Sequence, residues 1–509
     1  MITPSVPTMA PSTVAWLAFA ALPLFIVGRA VYRFYFHPLS SIPGPKSAAV
    51  SSLYRAYYDI IRDGEWVLHL ESLHAKYGTV VRVGPNELHF SDPRAYGDIY
   101  GSGSTFTKHP MYKCFGSGLS VFGQTDFHVA AKRRQALGPL FSRRATLKLQ
   151  KEIQKHVDKL IVRLGSYESL AKPADLHLAF RSVALDIITS YCFSKCFNAL
   201  DAPDFSHHVA ITMDATLHLA WVFKHFMFLR GLVDRTPEWL GTRLMPGTKG
   251  YFDQANQLGG QIDEILDDPS ILQKGDHETM YHYMITKSNV KAGLPPVSRE
   301  WLLHEGLNLR FAGSETAGNT CTIAAFYVLR DERLKQTLMK ELDDAWPDAD
   351  APMGYEDFER LPYLTAVIKE ALRLSYGTVT PMPRVVGPSG GVVAGLALPP
   401  GTVVAMGNTI MHTNPEIFPD PYRFAPERWL APDAAARLDK YLVAFSKGPR
   451  QCLGTNLAWC ELYLILGNLF RKLDLTEDGT SSMDDLHFRE YFIPLYRGHH
   501  LHAYVKKRD

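Results

Sequence analysis

The chain has 509 residues, 46% of them hydrophobic, enough to bury a large core. Lys and Arg total 54 against 52 Asp and Glu, a formal charge of +2, so no global field points to nucleic acid. Six cysteines (Cys114, Cys192, Cys196, Cys321, Cys452, Cys460) are few for this length and lack paired zinc spacing, which argues against a disulfide framework and fits a domain facing the cytosol.

Residues 1–28 carry no charge. Thr13 to Gly28 is apolar throughout, and with Met9 to Ser12 it reaches the ~20 residues needed to span a bilayer. Arg29 and Arg33 follow at once, which places the C-terminal side in the cytosol. A cleaved signal peptide would carry its charge before the apolar run. The order here is reversed, so residues 1–30 read as an uncleaved single-pass anchor. Tyr32 to Lys46 is aromatic and basic and runs into Pro43-Gly44-Pro45. Residues 31–46 therefore read as a stiff, non-helical hinge, although an ordinary linker would look nearly the same.

Leu53 to Lys76 reads as mainly helical. Thr79 to Phe90 forms two alternating runs around Gly84-Pro85-Asn86, a β-hairpin pattern. Tyr100 to Phe127 is rich in Gly, Ser and aromatics and reads as a long loop, a class that is often functional when ordered. Lys132, Arg133 and Arg134 are adjacent cations on a helix, usually a solvated face. Ala145 to Cys196 reads as helical, and Val209 to Leu232 is an unusually aromatic segment. Ser298 can N-cap the next helix. Arg299 to Leu329 then runs without proline, a helix of ~45 Å that would cross the whole domain. Near its middle, Ala312-Gly313-Ser314-Glu315-Thr316-Ala317 leaves one face without bulk. A helix-packing notch with a solvated Glu explains those residues equally well.

Tyr363 to Ser375 is a second marked helix, and Glu370 and Arg373 share one face at i, i+3. Thr378 to Val386 is extended. An inward Arg384 there would be costly without a partner. His412 to Pro426 holds four prolines and reads as an irregular meander. Tyr491 to Pro494 reads as a terminal strand and turn.

Phe445 to Gly454 places Cys452 in a basic Gly/Pro-rich turn ahead of an apolar helix, Asn456 to Leu469. Helix-terminal N–H groups and Arg450 would favour a thiolate at that place. Gly448 and Gly454 would let the backbone approach something large and flat. A lone cysteine near a turn is more commonly an inert core residue. The full pattern, Phe445-x-x-Gly448-x-Arg450-x-Cys452-x-Gly454, resembles the haem-ligand loop of cytochromes P450.

That resemblance extends along nearly the whole chain, and in the family's order. Its fuller wording, Phe36-His37-Pro38-Leu39 and Ile42 to Lys46, resembles microsomal fungal P450s of secondary metabolism, the trichodiene-oxygenase-like group. It implies a mainly α fold with small β-sheets behind a single N-terminal transmembrane helix, with residues 47–509 as a haem-thiolate catalytic domain. It implies haem b, with Cys452 as the axial iron ligand. Phe445 and Gly454 would lie beside the haem, and Arg134, Arg384 and Arg450 would neutralise its propionates. Arg134 is weakened as a match because Ala130 stands where the family commonly has Trp.

Thr316 and Glu315 match the oxygen-activation motif and its proton path, with Glu where many members have Asp. Glu370, Arg373 and Arg428 (in Pro426-Glu427-Arg428-Trp429) match a structural ion-pair triad. Phe106, Phe115, Phe122, Ala312, Thr380 and Phe492 are the implied substrate contacts. The implied activity is monooxygenation of an apolar small molecule, a terpenoid or polyketide. The implied electron source is NADPH through NADPH-cytochrome P450 reductase, with cytochrome b5 as a second donor, since the chain has no nucleotide-binding fingerprint of its own. The implied location is the endoplasmic reticulum membrane with the catalytic domain in the cytosol. The intact acid–Thr pair argues against a haem sensor and against enzymes that rearrange an oxidised substrate without a reductase.

Overall fold

The computed structural model describes residues 21, 23–287 and 296–508, apart from the side chains at 212–215 and 234. The expected anchor lies mostly outside them. Its described end, residues 23–31, is helical and leaves Leu24, Phe25, Ile26 and Val27 exposed. Among the described residues, no helix is long and apolar enough to cross a membrane.

The hinge is more structured than its composition suggests. Tyr32–Phe36 continues the helix as a π-turn. The Pro43 carbonyl accepts from Arg82 N–H at 2.8 Å. A Cβ on Gly44 would fall 2.3 Å from the Arg82 carbonyl oxygen, so the Pro-Gly-Pro segment is docked on a strand.

Helices dominate, as expected. The longest, Arg299–Arg330, is N-capped by Ser298, whose side chain accepts from Trp301 N–H. It runs through the largest apolar cluster, packed on Leu176–Phe193, Pro362–Ser375, Lys249–Asp267 and Thr455–Lys472. Its approach to Leu176–Phe193 needs small residues. A Cβ on Gly313 would meet the Ile188 side chain at 2.4 Å, and one on Gly318 would meet the Arg181 backbone at 3.0 Å.

The segment Ala145 to Cys196 is not one helix. Arg143–Gly165 ends, a short turn and a bridge at Ala174–Asp175 intervene, and Leu176–Phe193 follows. The aromatic segment also breaks, at Phe226, into His208–His225 and Met227–Arg235.

The predicted hairpin forms between Val80–Gly84 and Glu87–Phe90. It opens a five-stranded sheet continued by Val403–Ala405, Arg384–Val385 and Thr107–Lys108. In that ladder Arg384 pairs with Lys108, so two cations come in from adjacent strands. The terminal hairpin joins Phe488–Tyr491 to Ile493–Tyr496 with Phe492 at its tip. All six cysteines are free thiols.

Candidate active site

The cysteine loop is shaped by two residues with positive φ. Ser446 sits at +57° and Gly448 at +66°. A Cβ on Gly448 would lie 2.3 Å from the Tyr100 carbonyl oxygen. The close approach that demands this glycine is therefore to the chain itself, which corrects the sequence expectation. A Cβ on Gly454 would meet nothing within 4 Å, and this glycine N-caps Thr455–Lys472. The loop is closed by Cys452 N–H donating to the Phe445 carbonyl at 2.8 Å and by Thr455 Oγ1–H donating to the Cys452 carbonyl at 3.0 Å. The Phe445 ring is half-buried and tilted against Trp459 with centroids 6.2 Å apart.

Cys452 is exposed by area, yet protein atoms crowd its sulfur enough for burial to be the largest influence on the thiol. Burial raises the thiol above its ordinary pKa, and the Gly454 N–H, Arg134 and Thr455 oppose that rise. The cation acting on the sulfur is thus Arg134, not the adjacent Arg450. Arg450 instead donates to the carbonyls of Val121 (3.4 Å) and Asp126 (3.2 Å).

Four cations gather at the cysteine loop. Lys108, Arg134, Arg384 and Arg450 act on one another strongly enough that Lys108 is driven far below its usual range, first by burial and then by the three arginines. Arg450 is lowered to about 10 by burial, Arg384 and Arg134. Their partners are neutral. Lys108 donates to the Phe122 carbonyl at 2.7 Å, Arg134 to the Gln451 carbonyl at 2.6 Å, and Arg384 to the Tyr112 hydroxyl at 2.9 Å. None of the four forms an ion pair with a carboxylate among the described residues. Buried charge without a counter-charge is costly, so this cluster fits a bound group bearing carboxylates. A sulfur ligand, a glycine with open space before it and unbalanced cations are together the donor set of a flat, doubly acidic metal macrocycle.

The central helix carries the small-residue stretch. Ala312 is exposed in mid-helix, although Gly313 one residue on is packed against Ile188. The Gly313 face is thus a packing notch, while the Ala312 face is left open. Thr316 Oγ1–H donates back to the Ala312 carbonyl at 2.8 Å. Glu315 is not solvated. Its carboxylate is buried and paired to Arg181 at 2.6 Å.

Beyond Ala312 a cleft opens between the central helix and His208–His225, lined by Phe115, Phe122, Leu217 and Phe311 among others. Phe115 packs with Phe122 (5.8 Å), Trp221 (5.9 Å), Phe311 (6.3 Å) and Phe492 (5.3 Å) between ring centroids. Phe492 holds φ +73° at the hairpin tip, and its carbonyl accepts from Val379 N–H at 2.9 Å. Thr380 is buried next to it, its N–H 3.4 Å from the same carbonyl. Phe106 does not belong here. It lies in a separate core with Leu39, Tyr96 and Val386, beneath Gly391.

The expected triad comes together fully buried at its centre. Glu370 accepts from Arg373 (2.7 and 2.9 Å), Arg428 (3.1 Å), Trp429 Nε1 (2.8 Å) and Ala425 N–H (2.9 Å). His412 ties this knot to the cysteine loop. One ring nitrogen donates to the Arg373 carbonyl at 2.8 Å, and the other accepts from Val443 N–H at 2.9 Å.

A family model described as cytochrome P450 matches residues 56–494. The chain is a cytochrome P450 monooxygenase. It is 33% identical over 501 residues to a cytochrome P450 monooxygenase of Ascocoryne sarcoides, covering 95% of this chain and 96% of that one. It is 32% identical over 510 residues to the conidiogenone synthase of Penicillium rubens, with 97% and 98% covered. It is 32% identical over 490 residues to the N-acetyltryptophan 6-hydroxylase of Emericella nidulans, with 94% of each covered. Membership brings a haem-thiolate cofactor and the family's general need for a redox partner. Sequence reasoning on this P450 missed Lys108, Tyr112, Arg181, Phe311 and His412. Only Lys108 left a readable trace, as a cation inside the aromatic loop.

Proposed function

We propose that this P450 inserts one oxygen atom from O2 into an apolar small molecule of fungal secondary metabolism, a terpenoid or polyketide. The carrying observation is the cluster of Lys108, Arg134, Arg384 and Arg450 at the cysteine loop, none of which forms an ion pair with a carboxylate among the described residues. Haem b fits that donor set and, when bound through a thiolate, supplies dioxygen activation. Cys452 would hold the iron through its sulfur. Phe445 would shield that sulfur, and Arg384 and Arg450, with Lys108 beside them, would hold the propionates. Arg134 acts at the cysteine loop, where it steadies the Gln451 and Cys452 carbonyls.

The remaining roles belong to the protein. Thr316 Oγ1, freed from its bond to the Ala312 carbonyl, would hold a proton for delivery on the substrate side of the site. Glu315 feeds that hydroxyl and must leave Arg181 to do so. Glu370, Arg373 and Arg428 fix the geometry of the cysteine side. Phe115, Phe122 and Phe492 exclude water and orient the substrate over Ala312. Relatives named for conidiogenone synthesis and N-acetyltryptophan hydroxylation support a natural-product substrate.

Electrons come from NADPH through NADPH-cytochrome P450 reductase, with cytochrome b5 as a second donor. The uncharged run at residues 1–28 and the exposed Leu24 to Val27 support a single-pass anchor in the endoplasmic reticulum membrane with the catalytic domain in the cytosol. The reading is tested by the carbon monoxide spectrum of the reduced protein. Cys452→Ala abolishes the thiolate-type band; a surviving band overturns the ligand assignment. Product formation that proceeds without a reductase overturns the electron route.

A further inference from the structure

The cleft beside Phe115 and Phe311 is apolar over most of its wall, with one exception that its chemistry does not explain. Arg310, on the central helix, lines the cleft and is 2% exposed. Its Nη2 donates to Gln254 Oε1 on Lys249–Asp267. Its Nε and Nη1 are buried and find no acceptor among the described residues. The acid acting on it is Glu315, which is already held by Arg181 at 2.6 Å. Burial brings Arg310 down to about 9, still above neutrality. Arg230 lines the same cleft but is provided for, donating to the Tyr251 hydroxyl at 2.9 Å and lying 4.7 Å over that ring.

A buried guanidinium keeps its charge and presents its donors as a rigid fork suited to a carboxylate. Acceptors that the protein withholds must come from whatever fills the cleft. We propose that Arg310 is a specificity-determining residue and that the substrate carries a carboxylate on its otherwise apolar skeleton. This rests on reading the cleft as the substrate site of a haem monooxygenase.

The test uses the haem-loaded full chain and three probe acids, indole-3-butyric, 2-naphthylacetic and decanoic, each beside its methyl ester. Binding is read at neutral pH as the low-to-high spin shift of the haem. At least one acid is expected to bind about tenfold or more tighter than its ester, the ratio of a single charge-assisted hydrogen bond. Arg310→Gln removes that preference while ester binding changes less than about twofold, and Arg310→Lys keeps part of it. Esters that match their acids on the unaltered chain overturn the proposal, as does the absence of any acid-induced shift or a preference that survives Arg310→Gln. If Arg310→Gln fails to retain haem, the acid-to-ester ratio of the unaltered chain and of Arg310→Lys decides. Failure of the underlying reading is distinct, since the unaltered chain would then give no thiolate-type carbon monoxide band.

Discussion

Arg181 reaches from the Leu176–Phe193 helix to hold the Glu315 carboxylate at 2.6 Å, with both side chains buried. Removing one member of such a pair strands the other charge. Arg181→Met is expected to cost about 3–5 kcal/mol, measured as a lowered denaturant midpoint of the haem-loaded protein. Glu315→Gln is expected to slow turnover and enlarge the solvent deuterium isotope effect. An unchanged isotope effect takes Glu315 out of proton delivery.

Thr316 offers a cleaner separation of chemistry from folding. Among the described residues its hydroxyl bonds only within its own helix turn, to the Ala312 carbonyl at 2.8 Å. Thr316→Ala is expected to keep haem and the thiolate spectrum but to raise peroxide release relative to product. Thr316→Ser, which restores the hydroxyl, is expected to recover most of the coupling. Equal coupling in all three proteins removes Thr316 from the relay.

His412 makes the fold acid-sensitive. Burial, and then Arg373, lower its pKa from 6.5 to about 3 in the folded chain. The unfolded chain takes up that proton near its ordinary value, so between those limits it binds more protons than the folded one. Stability therefore rises with pH across this window and is lost on acidification, by up to about 1.4 kcal/mol per pH unit. Denaturant unfolding at a series of pH values checks this. His412→Gln is expected to be less stable at neutral pH but shallower on the acid side by about one proton.

The cation cluster predicts opposite effects with and without haem. Lys108 is held far below its usual pKa by burial and by Arg384, Arg450 and Arg134. Lys108→Met relieves that repulsion, so the Tm of the haem-free protein is expected to rise by a few degrees. The same variant is expected to release haem faster to an apomyoglobin acceptor. A lower haem-free Tm with unchanged haem release would separate Lys108 from the propionates.

Glu370 is the acceptor for four different residues. Glu370→Gln is expected to destabilise the protein by about 3–5 kcal/mol, because Arg373 is left as an uncompensated buried charge. Poor haem incorporation on expression and an early unfolding transition are the readouts.

Much of the frame was legible in the chain. Ser298 announced the start of the central helix, and Glu370 and Arg373 could be paired because both lie on one helix, three residues apart. Local signals carry that far. Arg181 with Glu315, and His412 with Arg373 and Val443, could not be read because their partners are brought together only by packing. The same limit explains Phe106. An aromatic in a suggestive loop looks alike in sequence whether it faces a cleft or a core, and the strand at Thr107–Lys108 turns it toward Gly391. Gly448 was legible as a necessary glycine, but the neighbour that makes it necessary, Tyr100, lies far away in the sequence.

The five rings of the cluster centred on Phe115 come from four separate stretches: the loop of Phe115 and Phe122, the helix of Trp221, the central helix at Phe311 and the hairpin tip at Phe492. None of those stretches carries Cys452, His412 or Glu370. Apart from the central helix, which carries Phe311 close to Glu315 and Thr316, the mould thus lies on pieces of chain separate from the machinery. A duplicated copy can trade one ring for another and acquire new cargo while the oxidising centre is passed on untouched.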